Sequence, residues 1–443
     1  MSVRPIVIKF GGATLGREDR IRKTVQVVRS TTGPVVVVVS AREGVTDRLK
    51  RALEKGVSKD SISNLSEDLR TLHPGIPDVL EANIAALEGD LARLPRARHA
   101  GSEIADAVLA RGERLSAHWY AERLEQEGIR AEPLEADQIG LLTDGTFGGA
   151  VIQQSTSRRL VRARVLPVIR RGAVPVVTGY IGRDGVGRTT TLGRGGSDYT
   201  ATSLGSFLDA ERTILVKTDV SLFSADPRVV RRAEPIGRLS YEEAEELAQF
   251  GARVLHPLTV EPARLHGMEV TVESLERPGL STTIGPAVRG RGIRAMTLLA
   301  PVALLHLRVP GGRQRKGVIA EVSRILSDVR INVVTLFTSS ALLSILVEAP
   351  MGEAARRVLL PFVRKDGLGA TLNGPRRTAL VTVIGEGVAA DIERLPRSVT
   401  SEALGISGTT RTLSLAVPEK LGPSTLREAH RALVEDRSAR RTA

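Results

Sequence analysis

The feature that most restricts the fold of this chain is a rhythm of short apolar runs and helical stretches from Ile6 to Val272. Val35–Val39 is five valines in a row, with no polar position to turn towards water. A strand that is apolar on both sides has to be covered on both sides. Such runs read as strands at Ile6–Phe10, Val35–Ser40, Ile129–Leu134, Val174–Ile181, Ile214–Val220 and Val270–Val272. Helical periodicity lies between them, most clearly at Gly44–Lys55, Ser102–Glu127, Ser157–Arg171, Asp198–Leu208 and Ser240–Leu258. The pattern specifies an α/β fold: an open, mostly parallel sheet sandwiched by helices. Residues 58–100 are helical in pattern and lack strand signals, as a lid or inserted subdomain would.

The rhythm changes near Glu276–Arg294, which is rich in Gly, Pro and Arg and reads as a domain end plus linker. Beyond it, strand Val302–Val309, helix Gly317–Ser327, strands Asn332–Phe337 and Leu342–Glu348 and helix Glu353–Arg364 form an α+β, ferredoxin-like unit. A shorter echo follows: strand Thr378–Ile384, a brief helix near Ala389–Leu395, strands Ala403–Ser407 and Thr412–Val417, and helix Thr425–Val434. The expected division is a domain over 1–285, a linker over 286–296, and modules over 297–375 and 376–443, the second abbreviated. Small sheets of this kind expose edges and one face, which pairing with a second copy covers.

Composition removes several classes of function. With no Cys there is neither thiolate metal site nor thiol nucleophile. The histidines form no pair at metal-ligand spacing, so no metal ligands are assigned. No apolar run approaches a membrane span, and MSVRPIVIKF lacks a signal pattern, so a cytoplasmic protein is expected. The net charge is +13, but arginines are scattered and aromatics make up only 3%. Nucleic-acid binding, which clusters its basic residues, is therefore not expected. Only nine of the 63 basic residues are lysine, which makes Lys9 and Lys217, each inside an apolar strand, conspicuous.

Several stretches carry chemistry. Lys9-Phe10-Gly11-Gly12 ends a strand with a cation and two flexible residues, which suits a phosphate or a plain strand-end turn. Ser40 and Gly44-Val45-Thr46-Asp47 follow the valine strand, where open sheets bind ligands, and read equally as a helix cap. Gly112-Glu113-Arg114-Leu115-Ser116 also fits a solvated helix face. Gly179–Ala201 is the densest: Gly179, Gly182, Gly185, Gly187, Gly195 and Gly196 surround Arg188, Arg194, three threonines and Asp198. Such a loop wraps an anion with amides and guanidinium groups, and the helix that follows adds its positive end. Lys217-Thr218-Asp219 and Ala225-Asp226-Pro227-Arg228 present further charges; His256, before a proline, reads as structural.

In this order, KFGG, VVVSA…GVTD, RGERLSA, TTTLGRGGSD, TDV…ADPR and FGARVLHP resemble the aspartate kinases of the amino-acid kinase family, over about Val7 to His256. The tail resembles that family's tandem ACT modules, carried by RKGVIAEVSRILSDVRINV at residues 315–333. The resemblance implies transfer of the ATP γ-phosphoryl group, with Mg²⁺, to the side-chain carboxylate of L-aspartate, the entry step to lysine and threonine. It implies Lys9 on the phosphates with amides from Gly11 and Gly12, and Asp198 holding that lysine. Ser40, Thr46, Glu113, Arg194, Gly195, Gly196 and Ser197 would contact the amino acid, with Arg194 on its α-carboxylate and Glu113 on its ammonium. Thr218, Asp219, Phe223, Asp226, Arg228 and Arg253 would serve the nucleotide. It also implies a homodimer through the ACT-like modules and a possible amino-acid effector.

Five departures stand out. The turn TDVSLFSADPR is one residue short and lacks the usual Gly, and Phe223 replaces a Tyr; Tyr180 brings a hydroxyl to the substrate side. Ala13 lacks one, and Arg253 stands where the family has a phosphate-contacting lysine. The abbreviated second module reads SGTTRTLS at its last strand. The alternatives are a paralogue phosphorylating another amino-acid carboxylate, and a non-catalytic ACT sensor.

Overall fold

The computed structural model describes residues 4–55, 59–93, 102–219, 222–251, 256–286, 292–310, 317–364 and 369–436. They form two compact units. The first is drawn from Met1–Leu222, Gly237–Tyr241 and Val254–Ala287, the second from Phe223–Ile236, Glu242–Arg253 and Val288–Ala443.

The first unit begins β1 (Ile6–Phe10), α1 (Glu18–Ser30), β2 (Val35–Val39), α2 (Val45–Lys55), α3 (Lys59–Leu72), α4 (Pro77–Ala92), α5 (Glu103–Gln126) and β3 (Ala131–Leu134). It continues with α6 (Gln154–Arg170), β4 (Val174–Thr178), a hairpin of β5 (Ile181–Arg183) and β6 (Thr189–Thr191), α7 (Gly196–Phe207) and β7 (Arg212–Lys217). Then come β8 (Arg238–Ser240), α8 (Tyr241–Gln249), which crosses into the second unit, α9 (Pro257–His266), β9 (Glu269–Ser274) and β10 (Ser281–Gly285). Eight strands make one sheet in the order β3-β4-β2-β1-β7-β9-β10-β8. The first six are parallel; β10 runs antiparallel to β9. The five valines of β2 are all buried, as is every residue of β1 including Lys9. Chain order reverses direction at β1, which has β2 on one side and β7 on the other. Open α/β sheets bind ligands at the carboxyl ends beside such a switch.

The second unit contains β11 (Gly292–Arg308), α10 (Val318–Asp328), β12 (Val333–Thr338), β13 (Leu342–Glu348), α11 (Gly352–Val363), β14 (Thr371–Glu386), α12 (Arg397–Thr400), β15 (Gly405–Gly408), β16 (Thr412–Pro418) and α13 (Gly422–His430). Its six strands form one sheet, β12-β13-β11-β14-β16-β15, joining both repeats through the long pair β11 and β14. Helices α10 and α11 cover one half of a face through Val322, Leu326 and Leu359; α13 covers the other through Leu426 and Ala429. The opposite face is buried too. Val302, Leu304, Phe337, Leu346 and Leu380 pack together there, and a Cβ on Gly405 of β15 would sit 2.6 Å from the Phe337 ring of β12.

Several expectations are corrected. Ser240–Leu258 is not one helix: α8 ends at Gln249, Gly251 has φ of +109°, and α9 starts at Pro257. Residues 252–255 lie outside the described residues. Val174–Ile181 is not one strand, because β4 ends at Thr178 and Tyr180 turns the chain with φ of +67°. The expected strands Val302–Val309 and Thr378–Ile384 are parts of β11, which ends at Arg308, and β14; these run 17 and 16 residues. The helix at Ala389–Leu395 is a 3₁₀ stretch, Val388–Arg394. The sheet face left for a second copy is covered by the chain itself.

Candidate active site

The parallel strands deliver their last residues to one edge of the sheet. Lys9 is the fourth residue of β1, and the Gly11-Gly12 turn follows. The turn needs its glycine: a Cβ on Gly12 would lie 2.5 Å from the Ala41 carbonyl oxygen, a backbone atom just past β2. Ser40 leaves β2 with its amide donating to the Phe10 carbonyl at 3.1 Å, and Thr46 sits in the first turn of α2.

From β4 the chain passes Gly179 and Tyr180 into the β5–β6 hairpin and then into α7, all twelve residues of which are buried. Gly195 stands before α7 with φ of +74°, and no side chain caps the helix. Its amide end carries partial positive charge, suited to an anion. A Cβ on Gly179 would lie 2.5 Å from the Ser197 Cβ, and one on Gly195 2.5 Å from the His256 Cβ. The loop is held from below by Asp106 of α5, which accepts from the Thr191 and Gly148 amides at 2.7 and 2.9 Å.

Asp198, in the first turn of α7, is the centre of the arrangement. Lys9 Nζ lies 2.7 Å from its Oδ1 and Lys217 Nζ, at the end of β7, 2.6 Å from its Oδ2. Burial raises the Asp198 carboxyl, and Lys217 and Lys9 overcome this to hold it well below the usual carboxylate range. Lys9 is lowered by its own burial, with Asp198 opposing. Glu113 projects from α5, accepting from the Ala41 amide at 3.2 Å through Oε1. Its Oε2 is buried without a partner, and burial pushes the carboxyl up to about 8. Arg194 is exposed and has no partner among the described residues. Tyr180 is raised to about 12, mainly by burial.

The expected nucleotide residues divide. Thr218 and Asp219 follow β7 in the first unit, where Asp219 pairs with Arg277 at 2.8 Å. Phe223, Asp226 and Arg228 belong to the second unit. There Arg228 pairs with Asp226 at 2.7 Å, and the flanking Ala225 and Val230 are buried in that unit's core. Arg253 lies outside the described residues. Sequence reasoning noticed Lys217 as a lysine in an apolar strand but gave it no role; the structure sets it on Asp198.

Two lysines, a helix amide end and glycine turns at the carboxyl edge of a parallel sheet make a site for transferring a phosphoryl group between anions. The chain belongs to the amino acid kinase family, whose model matches residues 4–274. It is 32% identical to the lysine-sensitive aspartokinase 3 of Escherichia coli, over 75% of this chain and 76% of that one. It is 31% identical to the chloroplastic aspartokinase 3 of Arabidopsis thaliana, over 86% of this chain and 71% of that one. The crystal structure of E. coli aspartokinase III with aspartate and ADP is similar at a TM-score of 0.83 and 25% identity, covering 97% of this chain and 99% of that one.

Proposed function

We infer that the chain is an aspartate kinase, transferring the γ-phosphoryl group of ATP to the side-chain carboxylate of L-aspartate to give 4-phospho-L-aspartate. The observation that carries this is Asp198 holding two ammonium groups at the amide end of the buried helix α7. A carboxylate acceptor is already ionised at neutral pH, so no general base is needed. What the reaction needs is positive charge where two anions meet and where charge spreads in transfer. The intact Lys9–Asp198 pair argues against a degenerate, non-catalytic sensor.

In this reading Lys9 and the Gly11 and Gly12 amides take the phosphates. Arg194 takes the α-carboxylate as a fork, and Glu113 takes the ammonium with its unpartnered oxygen. Ser40, Thr46, Tyr180, Gly195, Gly196 and Ser197 line the amino-acid side; Thr218, Asp219, Phe223, Asp226, Arg228 and Arg253 serve the nucleotide. Among the described residues no cluster of three or more acidic or histidine groups could cage a metal. Mg²⁺ enters with ATP as part of the substrate, held by phosphate oxygens and water. A cytoplasmic homodimer, joined through the second unit and open to an amino-acid effector, completes the proposal. Among the described residues, no helix is long and apolar enough to cross a membrane.

Coupled ADP release over a panel of amino-acid acceptors tests the assignment. Aspartate is expected to turn over fastest. Aspartate at background, with glutamate or another carboxylate turning over, would replace it with the paralogue reading.

A further inference from the structure

We propose that Lys217 is a second catalytic lysine, contacting the transferring phosphoryl group beside Lys9 while Asp198 holds both ammonium groups in place. The proposal rests on the phosphotransfer reading above, which counts the charge of Lys217 on Asp198 but gives that residue no contact with either substrate.

The argument begins with register. Strands β1 and β7 are parallel neighbours with Lys9 opposite Leu215. Side chains alternate along a strand, so Leu215 and Lys217 share a face with Lys9, and Lys217 stands two residues nearer the carboxyl edge. Helix α7 presents Asp198 to both. Lys9 is the deeper of the two, its side chain 7% exposed against 20% for Lys217. Each ammonium has three donors. No described partner other than Asp198 takes one from Lys217.

Charge balance makes the same point. One lysine neutralises one buried carboxylate, so a purely structural role is already filled by Lys9. Adding Lys217 leaves the cluster with a net positive charge and brings two ammonium groups close enough that Lys217 pushes the Lys9 pKa down. Such an excess is costly in a buried setting until an anion offsets it. The preceding residues on that face of β7, Thr213 and Leu215, are uncharged and fully buried, so the fold did not require a cation there. Choice of residue type agrees. With arginine so dominant among the basic residues, lysine at both positions selects a compact point charge over a planar fork.

In the step itself, an aspartate oxygen forms a bond to the γ-phosphorus as the bond to the β–γ bridging oxygen breaks. ADP leaves with that electron pair. Both lysines keep their protons, and their charge follows the equatorial oxygens as negative charge spreads over them.

The test is Lys217→Met, with Lys217→Gln as the variant that can still donate to Asp198 should the first not fold. Two readouts are taken: steady-state kcat and KM, and calorimetric Kd for MgATP and MgADP. A lysine on the γ-phosphoryl group gives a kcat loss of about 100-fold or more. It also gives an affinity loss specific to ATP, about tenfold in Kd, with ADP changed less than threefold. A kcat within threefold of wild type, or an ATP-to-ADP Kd ratio unchanged, overturns the proposal, because a residue that only balanced Asp198 would weaken both nucleotides alike. The nucleotide comparison needs no acceptor, so it stands apart from the aspartate assignment. Failure of aspartate in the acceptor panel would overturn that assignment and leave the Lys217 result intact.

Discussion

Glu113 Oε2 is buried with no partner among the described residues, and burial pushes the carboxyl from 4.5 up to about 8. Near neutral pH the group is mostly protonated. An ammonium beside it favours the ionised form, so aspartate binding at pH 7 is expected to release a large fraction of a proton. Calorimetry in buffers of different ionisation enthalpy counts it; zero release would remove Glu113 from the ammonium. The same shift bears on stability. A carboxyl raised in the folded state favours folding below pH 4.5, and that contribution is lost as pH rises through 8. Between pH 6 and 8.5 the melting temperature of Glu113→Gln is therefore expected to fall less than that of wild type. Asp198 has the opposite sign: its depressed carboxyl favours folding above the usual carboxylate range, a contribution lost in acid. Asp198→Asn leaves the buried Lys9 ammonium and the half-buried Lys217 ammonium without a counter-charge, which costs about 3–5 kcal/mol in denaturant melts and abolishes ADP formation. Composition made Lys9 conspicuous in the sequence, the glycine-rich loop singled out Asp198, and the family resemblance implied that the two meet. It left Glu113 open because RGERLSA has the polarity of a solvated face. Only packing of α5 against the turn after β2 shows that this face is inside.

Helix α7 shows what a sequence can and cannot say about an element. Its extent was legible to within two residues, as a helical pattern over Asp198–Leu208 behind the glycine-rich loop against the observed Gly196–Phe207. That all of it is buried was not, since GSDYTATSLGSF is half polar. The hydroxyls are tolerable because Thr200 and Thr202 bond back to carbonyls one turn earlier. The last carbonyls are met by Arg158, which donates to Ser206 at 2.8 Å, and Arg162, which donates to Phe207 at 2.7 Å. Small residues let the helix lie close to its neighbours. A Cβ on Gly205 would fall 2.2 Å from Thr213 Oγ1 and 2.7 Å from Met268 Sδ. Gly205→Ala is therefore expected to destabilise by about 1–3 kcal/mol in urea melts, the range for overpacking a tight core. Gly89, inside α4, has nothing within 4 Å of its would-be Cβ. Gly89→Ala should stabilise by about 0.5–1 kcal/mol, the gain from replacing glycine in a helix. If both changes moved stability in the same direction, the close approach around α7 would be wrong. The shortest strands, β5, β6 and β8, escaped sequence reading because three residues carry too little periodicity to register.

At the scale of the whole chain, alternation specified the parallel sheet, and the tail's two repeats supply all six strands of the second unit's sheet, while that unit also draws Phe223–Ile236 and Glu242–Arg253 from the stretch expected in the first domain. What the repeats concealed is that they share one sheet, because β11 and β14 run through both. That sharing changes the case for a dimer. An isolated four-stranded repeat would leave an apolar face for a second copy, but here Leu304, Leu346 and Leu380 on that face are fully buried within the chain. Association has to use another surface. The exposed apolar side chains of the second unit include Ile319 on α10 and Val329 just after it, 49% and 47% exposed. These two, one on α10 and one just past its end, are the residues on which the proposed homodimer is tested. Sedimentation at micromolar concentration is expected to show a species of twice the 47.5 kDa chain mass. Ile319→Arg together with Val329→Arg should shift it towards monomer. Both side chains face water in a single chain, so the melting temperature measured at low protein concentration should be unchanged. A wild-type chain that stays monomeric at tens of micromolar would end the dimer proposal. A dimer unaffected by the two arginines would move the contact off α10.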